Sequence, residues 1–344
     1  MTNVALIGCG FFSANHLHAW NDLAGEGARL VAVCDIDPAK AKAAAEKFGV
    51  PRWYADAGEM FDNEKIDLVD IATRMDTHRA LVEQAVVRGI ATIVQKPFAP
   101  VWEDCVAMVS AARRAGVFLA VHENFRFQTP MMKVADVLRQ GAIGTPSWAR
   151  ISFRTGYDIY RNQPYFYGEE RFAILDVGIH VLDVARVFMG EATRVFCETQ
   201  RRNPKVRAED TATMMLRHAS GGVSVVECTY EARKLPDRFP QTLIEIEGPR
   251  GAIVVKPGFV MEVTSDGNMT STAIGSPLLA WTAEPWHIAQ ESVLNTCRHM
   301  LERFREGRPA DTSGEDNLRT YALAEAAYRS AASGRAEEPP RDPG

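Results

Sequence analysis

Asp176, His180 and Asp183 recur at i, i+4 and i+7 in an apolar run that ends at Gly190, so a helix would carry them as one polar stripe among Leu175, Ile179, Leu182 and Val187. Histidine titrates near neutrality and suits removal of a hydroxyl proton, and a carboxylate one turn earlier can orient the imidazole or hold substrate hydroxyls. A lone histidine on such a helix is more often a satisfied core residue; the paired aspartate turns the reading toward chemistry. Gly178 costs a helix interior about 1 kcal/mol relative to alanine, which is explicable if another group approaches closely there. A cation comes from Gln95-Lys96-Pro97, directly after the apolar run 91–94. At the carboxyl end of a strand, the Lys96 ammonium can hydrogen-bond a reacting hydroxyl and stabilise the alkoxide; without a neighbouring site it would be an ordinary surface lysine.

The first apolar run, 4–7, leads into Gly8-Cys9-Gly10-Phe11-Phe12-Ser13, and the next, 30–34, ends at Asp35. Strand, glycine turn and helix, with an acid about 20 residues on, form a dinucleotide-binding pattern. Gly8 permits the tight turn and Gly10 lets main-chain N–H groups approach a pyrophosphate at a helix N-terminus, with Phe11 and Phe12 beside it. Ser13 stands at the third glycine position, so the fingerprint is weakened while its context is intact. Asp35 would accept ribose hydroxyls and repel a 2′-phosphate, and Ile36 offers no compensating cation, so NAD is favoured over NADP; the bland alternative is a surface turn aspartate. Thr73 and His78, in the loop after the run 68–72, are candidate cofactor contacts, or else a helix cap and a satisfied polar residue. Asn124 and Arg126 follow the run 118–121 and would face cofactor or substrate, or bridge two domains. Tyr157, Tyr160, Arg161, Gln163, Tyr165 and Tyr167 crowd one loop, a set that suits a sugar pocket or a subunit interface.

The elements that must position these residues fall into two patterns. Strands at 4–7, 30–34, 68–72, 91–94 and 118–121 alternate with helices at 38–48, 79–88 and 103–115, the signature of a parallel sheet covered by helices. After residue 122 come a helix at 131–140 and strands at 148–154, 194–198, 211–216, 223–230, 243–247, 252–256 and 259–263. Turn signals at Ser220-Gly221-Gly222 and Gly248-Pro249-Arg250-Gly251 predict a large antiparallel sheet, closed by helices at 287–306 and 317–332. The expected architecture is an α/β Rossmann domain with a parallel doubly wound sheet (1–122) and an α+β substrate and oligomerisation domain with a large open antiparallel sheet (123–334). A Pro, Glu and Arg-rich tail (335–344) is expected to be disordered.

The 344 residues, 46% hydrophobic, are enough for two cores. A net charge of -5 and a pI near 6.0 give no basic footprint for nucleic acid, and no segment suits a membrane surface, a bilayer span or a secretion signal, so the expected compartment is the cytoplasm. Six cysteines without a CxxC pair suit a reducing compartment, and eight histidines form no HExxH cluster, so no metal is expected.

Together these landmarks resemble the Gfo/Idh/MocA family of NAD(P)-dependent sugar and polyol oxidoreductases over almost the whole chain. The resemblance is carried by Ala5-Leu6-Ile7-Gly8-Cys9-Gly10 with His16, by the Asp35 strand end, the Ala72-Thr73 to His78 loop and Lys96-Pro97, by the DxGxHxxD pattern at Asp176, Gly178, His180 and Asp183, and by Thr312-Ser313-Gly314 before a closing helix. It implies Lys96 as the catalytic lysine, with Asp176 and His180 as the substrate-binding acid/base pair. It implies cofactor contacts from Gly8, Gly10, Phe11, Phe12, Asp35, Thr73, His78, Gln95, Lys96, Asn124 and Gln163, and substrate contacts from Lys96, Arg126, Tyr160, Asp176 and His180. A homodimer or homotetramer formed through the open sheet is also implied. Three departures mark a subfamily with its own substrate: the usual EKP reads Gln95-Lys96-Pro97, a loop proline is Arg74, and a glycine-rich run before the catalytic aspartate is Arg171-Phe172-Ala173-Ile174. The expected activity is NAD-dependent oxidation of an aldose or related polyol, giving a lactone from a cyclic aldose. The alternatives on the same fold are a nonenzymatic dinucleotide and sugar sensor, or an enzyme that uses bound NAD for isomerisation or glycoside cleavage.

Overall fold

In the computed structural model, which describes residues 1–342, strand β1 (Thr2–Ile7) is buried at every position, as a central strand covered on both faces must be. It pairs in parallel with β2 (Ala28–Cys34) on one side and β4 (Leu68–Ile71) on the other. With β3 (Arg52–Tyr54), β5 (Ala91–Gln95) and β6 (Leu119–His122) these form a six-stranded parallel sheet in the order β3-β2-β1-β4-β5-β6. The order reverses beside β1, and ligands of such sheets bind past the carboxyl ends of the strands, which is where Gly8, Asp35, Thr73 and Lys96 fall. Helices α1 (Ser13–Asp22), α2 (Pro38–Phe48), α3 (Ala57–Asn63), α4 (His78–Val87) and α5 (Trp102–Ala115) make the crossovers. α2 shows the local logic: the Asp37 carboxylate accepts from the Ala39 and Lys40 N–H groups, Pro38 occupies the first turn, and Gly49 ends the helix at φ 68°. β3 and α3 were not anticipated, being too short to show a period.

This sheet belongs to a unit comprising Met1–Asn124, Ser292–Leu318 and the chain from Asp342. The sequence reading placed residues 292–318 wholly in the second domain; the structure gives them to the first. The reason is backbone pairing: Ala120 of β6 bridges Ser313, and the Val121 N–H donates to the Thr312 carbonyl at 2.8 Å. Helix α8 (His287–Arg305) joins this unit from Ser292 on, where Arg298 pairs with Glu26 at 3.0 Å.

The second unit comprises Phe125–Glu291 and Arg319–Arg341. It contains α6 (Thr129–Arg139), β7 (Trp148–Arg154), a π-helical turn (Ile174–Gly178) running into α7 (Ile179–Met189), and β8 (Ala192–Gln200). β9 (Thr211–His218), β10 (Val223–Thr229), β11 (Leu243–Gly248), β12 (Gly251–Lys256), β13 (Val260–Ser265) and β14 (Asn268–Ala273) complete an eight-stranded sheet ordered β14-β13-β12-β11-β7-β10-β9-β8. Neighbours are antiparallel except β7 and β10, which run parallel from Trp148↔Val223 to Arg154↔Thr229, because the chain crosses over through α7, β8 and β9 instead of turning back. The helix α7 packs on β7 and β10, and β9 alternates buried and exposed residues, as a sheet with one covered face requires. β14 is exposed throughout and mostly polar, so no apolar alternation announced it.

Helix α9 (Gly314–Ser333) joins the second unit from Arg319 on. The tail expected to be disordered is instead paired in part: Glu337 and Val195 exchange N–H···O bonds of 2.8 Å along the unsatisfied edge of β8, and Asp342 pairs with Arg113 at 2.7 Å. Its last two residues, 343–344, lie outside the described ones. Cys9 is half-buried and the other five cysteines are buried, all as free thiols. No helix among the described residues is long and apolar enough to cross a membrane.

Candidate active site

Two groups of residues carry the candidate chemistry, one in each unit. In the first, Gly8 sits at φ +98°, and a Cβ there would lie 2.6 Å from the Ala72 carbonyl oxygen, so only glycine fits. A Cβ on Gly10 would meet no protein atom within 4 Å, so nothing in the protein demands glycine there, whereas a ligand lying against main-chain N–H groups would. Ser13 turns out to be a fastening: its buried hydroxyl donates to the Gly10 carbonyl at 2.8 Å and ties the turn to the start of α1. Asp35 accepts from the Cys9 N–H at 2.7 Å and the Asp37 N–H at 2.9 Å, clamping the glycine turn to the end of β2. Burial, then the Asp35 charge, pushes the Cys9 thiol up to about 12. An open cradle at Gly10 and an acid at the end of β2 fit the pyrophosphate and ribose of NAD. Phe11 is exposed on the turn, while Phe12 is half-buried with its ring edge-on to His16 at 5.8 Å.

The neighbouring loops are braced more tightly than the sequence suggested. The Thr77 hydroxyl donates to Thr73 at 2.7 Å. His78, expected at the cofactor, is buried with Nδ1 3.1 Å from the Phe98 carbonyl and Nε2 3.2 Å from the Thr73 carbonyl. Burial lowers its pKa, and a neutral imidazole donates to one of these at a time, so His78 braces the loops after β4 and β5. Asn124, expected at the cofactor, is buried, its amide donating to the Ser292 hydroxyl at 2.7 Å. Lys96 is half-buried, and its main-chain N–H donates to Gln95 Oε1 at 2.7 Å. Gln95 Nε2 lies 3.0 Å from His16 Nε2, and His16 Nδ1 lies 2.8 Å from Asp70 Oδ2, which also accepts from Trp20 Nε1 at 2.8 Å. Burial pushes the Asp70 carboxyl up, but the His16 and Trp20 donors and the nearby imidazoles outweigh it and hold it below its ordinary value.

His16, His122 and Cys297 bring three potential metal-ligating atoms within 4.8 Å of one another, a grouping their sequence spacing could not show. Both nitrogens of His16 are already hydrogen-bonded, and burial raises the Cys297 thiol well above its ordinary value, so the trio is packed core more than a ligand set.

In the second unit, the i, i+4, i+7 stripe is interrupted. Asp176 lies in the π-helical turn while His180 and Asp183 lie in α7, so the three do not share one α-helical face. The Tyr230 hydroxyl donates to Asp176 Oδ2 at 2.7 Å, and burial, then Asp176 itself, raises that phenol well above its ordinary value. The close approach expected at Gly178 is real: a Cβ would come 3.1 Å from the Ala173 carbonyl and 3.2 Å from Cys228 Sγ. Glu209 Oε1 accepts from the Phe172 N–H at 3.2 Å, the Ile174 N–H at 3.1 Å and the Tyr328 hydroxyl at 2.7 Å, capping the start of the π turn. His180 is buried, with the Phe125 ring stacked on it at 3.9 Å and 2°.

Asp183 is buried and takes both Nε (2.7 Å) and Nη2 (2.5 Å) of Arg126, along with the Thr320 hydroxyl at 2.8 Å. This commits the Arg126 guanidinium to a structural pair, where the sequence suggested substrate contact. Tyr160, also expected at substrate, is buried, stacked on Tyr167 at 4.6 Å, with its hydroxyl 3.2 Å from Glu231. Gln163 is half-buried and accepts from the Tyr165 hydroxyl. Tyr230, Glu209 and Phe125 were missed, because no spacing in the sequence links them to Asp176 or His180.

A family model described as an oxidoreductase family with an NAD-binding Rossmann fold matches residues 2–123, and the GFO/IDH/MocA C-terminal domain model matches residues 131–254. The chain belongs to the Gfo/Idh/MocA family. It is similar to the D-apiose dehydrogenase of Paraburkholderia graminis, 49% identical over 97% of this chain and 88% of that protein. It is also similar to the D-apiose dehydrogenase of Rhizobium rhizogenes, at 47% over 96% and 95%. Among solved structures, an oxidoreductase from Agrobacterium radiobacter in complex with NAD+, L-tartaric acid and magnesium matches with a TM-score of 0.96 at 46% identity, covering 98% of each chain. This Gfo/Idh/MocA protein is therefore an NAD-dependent dehydrogenase rather than a nonenzymatic sensor, with the Rossmann sheet and NAD as the sequence implied.

Proposed function

We propose that this dehydrogenase oxidises an aldose or related polyol, with D-apiose the substrate and its lactone the product from the cyclic sugar. The observation that carries the reading is the near full-length similarity to two proteins named D-apiose dehydrogenase; the residue chemistry supports it. Bound NAD, held through the Gly8 to Gly10 turn and Asp35, supplies the hydride acceptor. His180, its ring fixed face-to-face by Phe125, takes the proton of the reacting hydroxyl on an imidazole nitrogen. Asp176, held by the Tyr230 hydroxyl, binds a sugar hydroxyl and orients the base. The Lys96 ammonium stabilises the developing alkoxide, a charge-stabilising role that loses most when a single group is removed. A homodimer or homotetramer through the exposed face of the eight-stranded sheet belongs to the same proposal.

The test is NADH formation across D-apiose, other aldoses, branched pentoses and inositols, with NADP in parallel. D-Apiose with NAD should give the highest kcat/KM, and Lys96→Ala should lower kcat by about a thousandfold or more while NAD still binds. Substantial turnover by Lys96→Ala removes its assigned role. Sugar consumed without NADH would replace oxidation by isomerisation or cleavage.

A further inference from the structure

We propose that Gln95 is a positioning residue whose uncharged carboxamide fixes the proton of His16 on one side and the main chain at Lys96 on the other. The inference rests on the reading of Lys96 as the alkoxide-stabilising group. The Lys96 main-chain N–H can only donate, so the Gln95 atom 2.7 Å from it is Oε1. That leaves Nε2, a donor, facing His16 Nε2 at 3.0 Å, so this ring nitrogen accepts. A neutral histidine that accepts at Nε2 carries its proton on Nδ1, and Nδ1 faces Asp70 Oδ2 at 2.8 Å. Each link dictates the next, and turning the carboxamide over would set its NH2 against the Lys96 N–H.

The chain is sealed from water: His16 and Asp70 are 0% exposed and Gln95 8%. The groups packed around His16 are Asp70 from β4, Gln95 from β5 and His122 from β6, whose ring lies 4.3 Å away. α1 adds Trp20, which donates to the same Asp70 oxygen, and α8 adds Cys297, 3.7 Å from His122 Nε2. Asp70 supplies the negative charge of this pocket, and a neutral partner at 95 leaves that charge single. A carboxylate at 95 would need protons on both His16 nitrogens, and loss of the second would leave two buried negative charges facing one ring. The carboxamide thus anchors Lys96 without a titrating link.

The inference is tested on the whole enzyme labelled with ¹⁵N-histidine, the His16 signals being assigned by their loss in His16→Asn. Wild type should show a protonated Nδ1 and an unprotonated Nε2 at His16. In Gln95→Glu both His16 nitrogens should be protonated at about pH 6, and its kcat relative to wild type should fall about tenfold as the pH is raised to about 9. An Nε2–H tautomer or an imidazolium in wild type overturns the inference, and so does a pH-independent ratio. If Gln95→Glu does not fold, the wild-type spectrum decides alone. Lys96→Ala should leave the His16 tautomer unchanged, because the link runs through the main-chain N–H. An active Lys96→Ala therefore defeats the reading of Lys96 while the tautomer stands. A wrong tautomer beside an inactive Lys96→Ala defeats this inference alone.

Discussion

The turn at Gly8 and the helix start at Ile174 both deliver candidate chemistry to the beginning of a helix, yet they are held in opposite ways. The first is fixed by sterics and main-chain bonds: a left-handed glycine against the Ala72 carbonyl, Ser13 bonded to Gly10 three residues earlier, and the Cys9 N–H bonded to Asp35. The second is held from outside, by the Glu209 carboxylate, by Cys228 against Gly178 and by Tyr230 on Asp176. A turn fixed by backbone sterics admits no substitution at its pivot, whereas one held by side chains can be adjusted through any of its supports.

Gly8→Ala breaks the sterically fixed side and should have the largest effect. The φ of +98° and the 2.6 Å clash make this costlier than an ordinary glycine replacement, at least about 2 kcal/mol of stability, with NAD binding lost. Thermal melting and NAD titration check it; unchanged affinity would show that the turn is not held by sterics. Tyr230→Phe removes one outside support, a hydrogen bond to a charged carboxylate, for about 1–2 kcal/mol of stability. Its kcat should drop by about tenfold with NAD affinity unchanged. An unaltered kcat would mean that Asp176 needs no such hold.

Glu209→Gln is the mildest probe and acts through pH. Burial raises the Glu209 carboxyl above its ordinary 4.5, outweighing the Tyr328 and main-chain donors. Its contribution to stability is therefore full below that ordinary value and is lost as the pH rises through the folded-state value. Glutamine keeps an acceptor for all three donors and should flatten this part of the melting-temperature profile. An equal slope in both proteins would remove Glu209 as its source.

The same contrast explains what could be read from the residues. The glycine turn, Asp35 and the parallel sheet were legible because backbone sterics and a short-range pattern determine them. Asp176 and His180 were legible as residue types, but the π turn between them was not, since it depends on Glu209, just before β9, and Cys228 of β10 reaching it. Arg126 and His78 looked equally suited to ligand contact. Only the fold shows Asp183 and two backbone carbonyls waiting for them. The tail after Arg335 has the composition of a disordered segment, and its pairing at Glu337 follows from an open edge of β8 that composition does not record.

The parallel pairing of β7 with β10 has a consequence for how such an enzyme can change over evolution. Everything between Arg154 and Val223, including the aromatic loop 157–167 and α7, is a closed excursion whose two ends are anchored in neighbouring strands. Closing a flexible loop grows costlier only with the logarithm of its length, about 0.6 kcal/mol for each doubling. Residues can therefore be added with least penalty at the exposed positions of this segment, such as Arg161 and Asn162, and at greater cost beside its buried Ile159, Tyr160 and Phe166. The sheet, the π-helical turn and α7 are the parts of this excursion fixed by strand pairing and by Glu209.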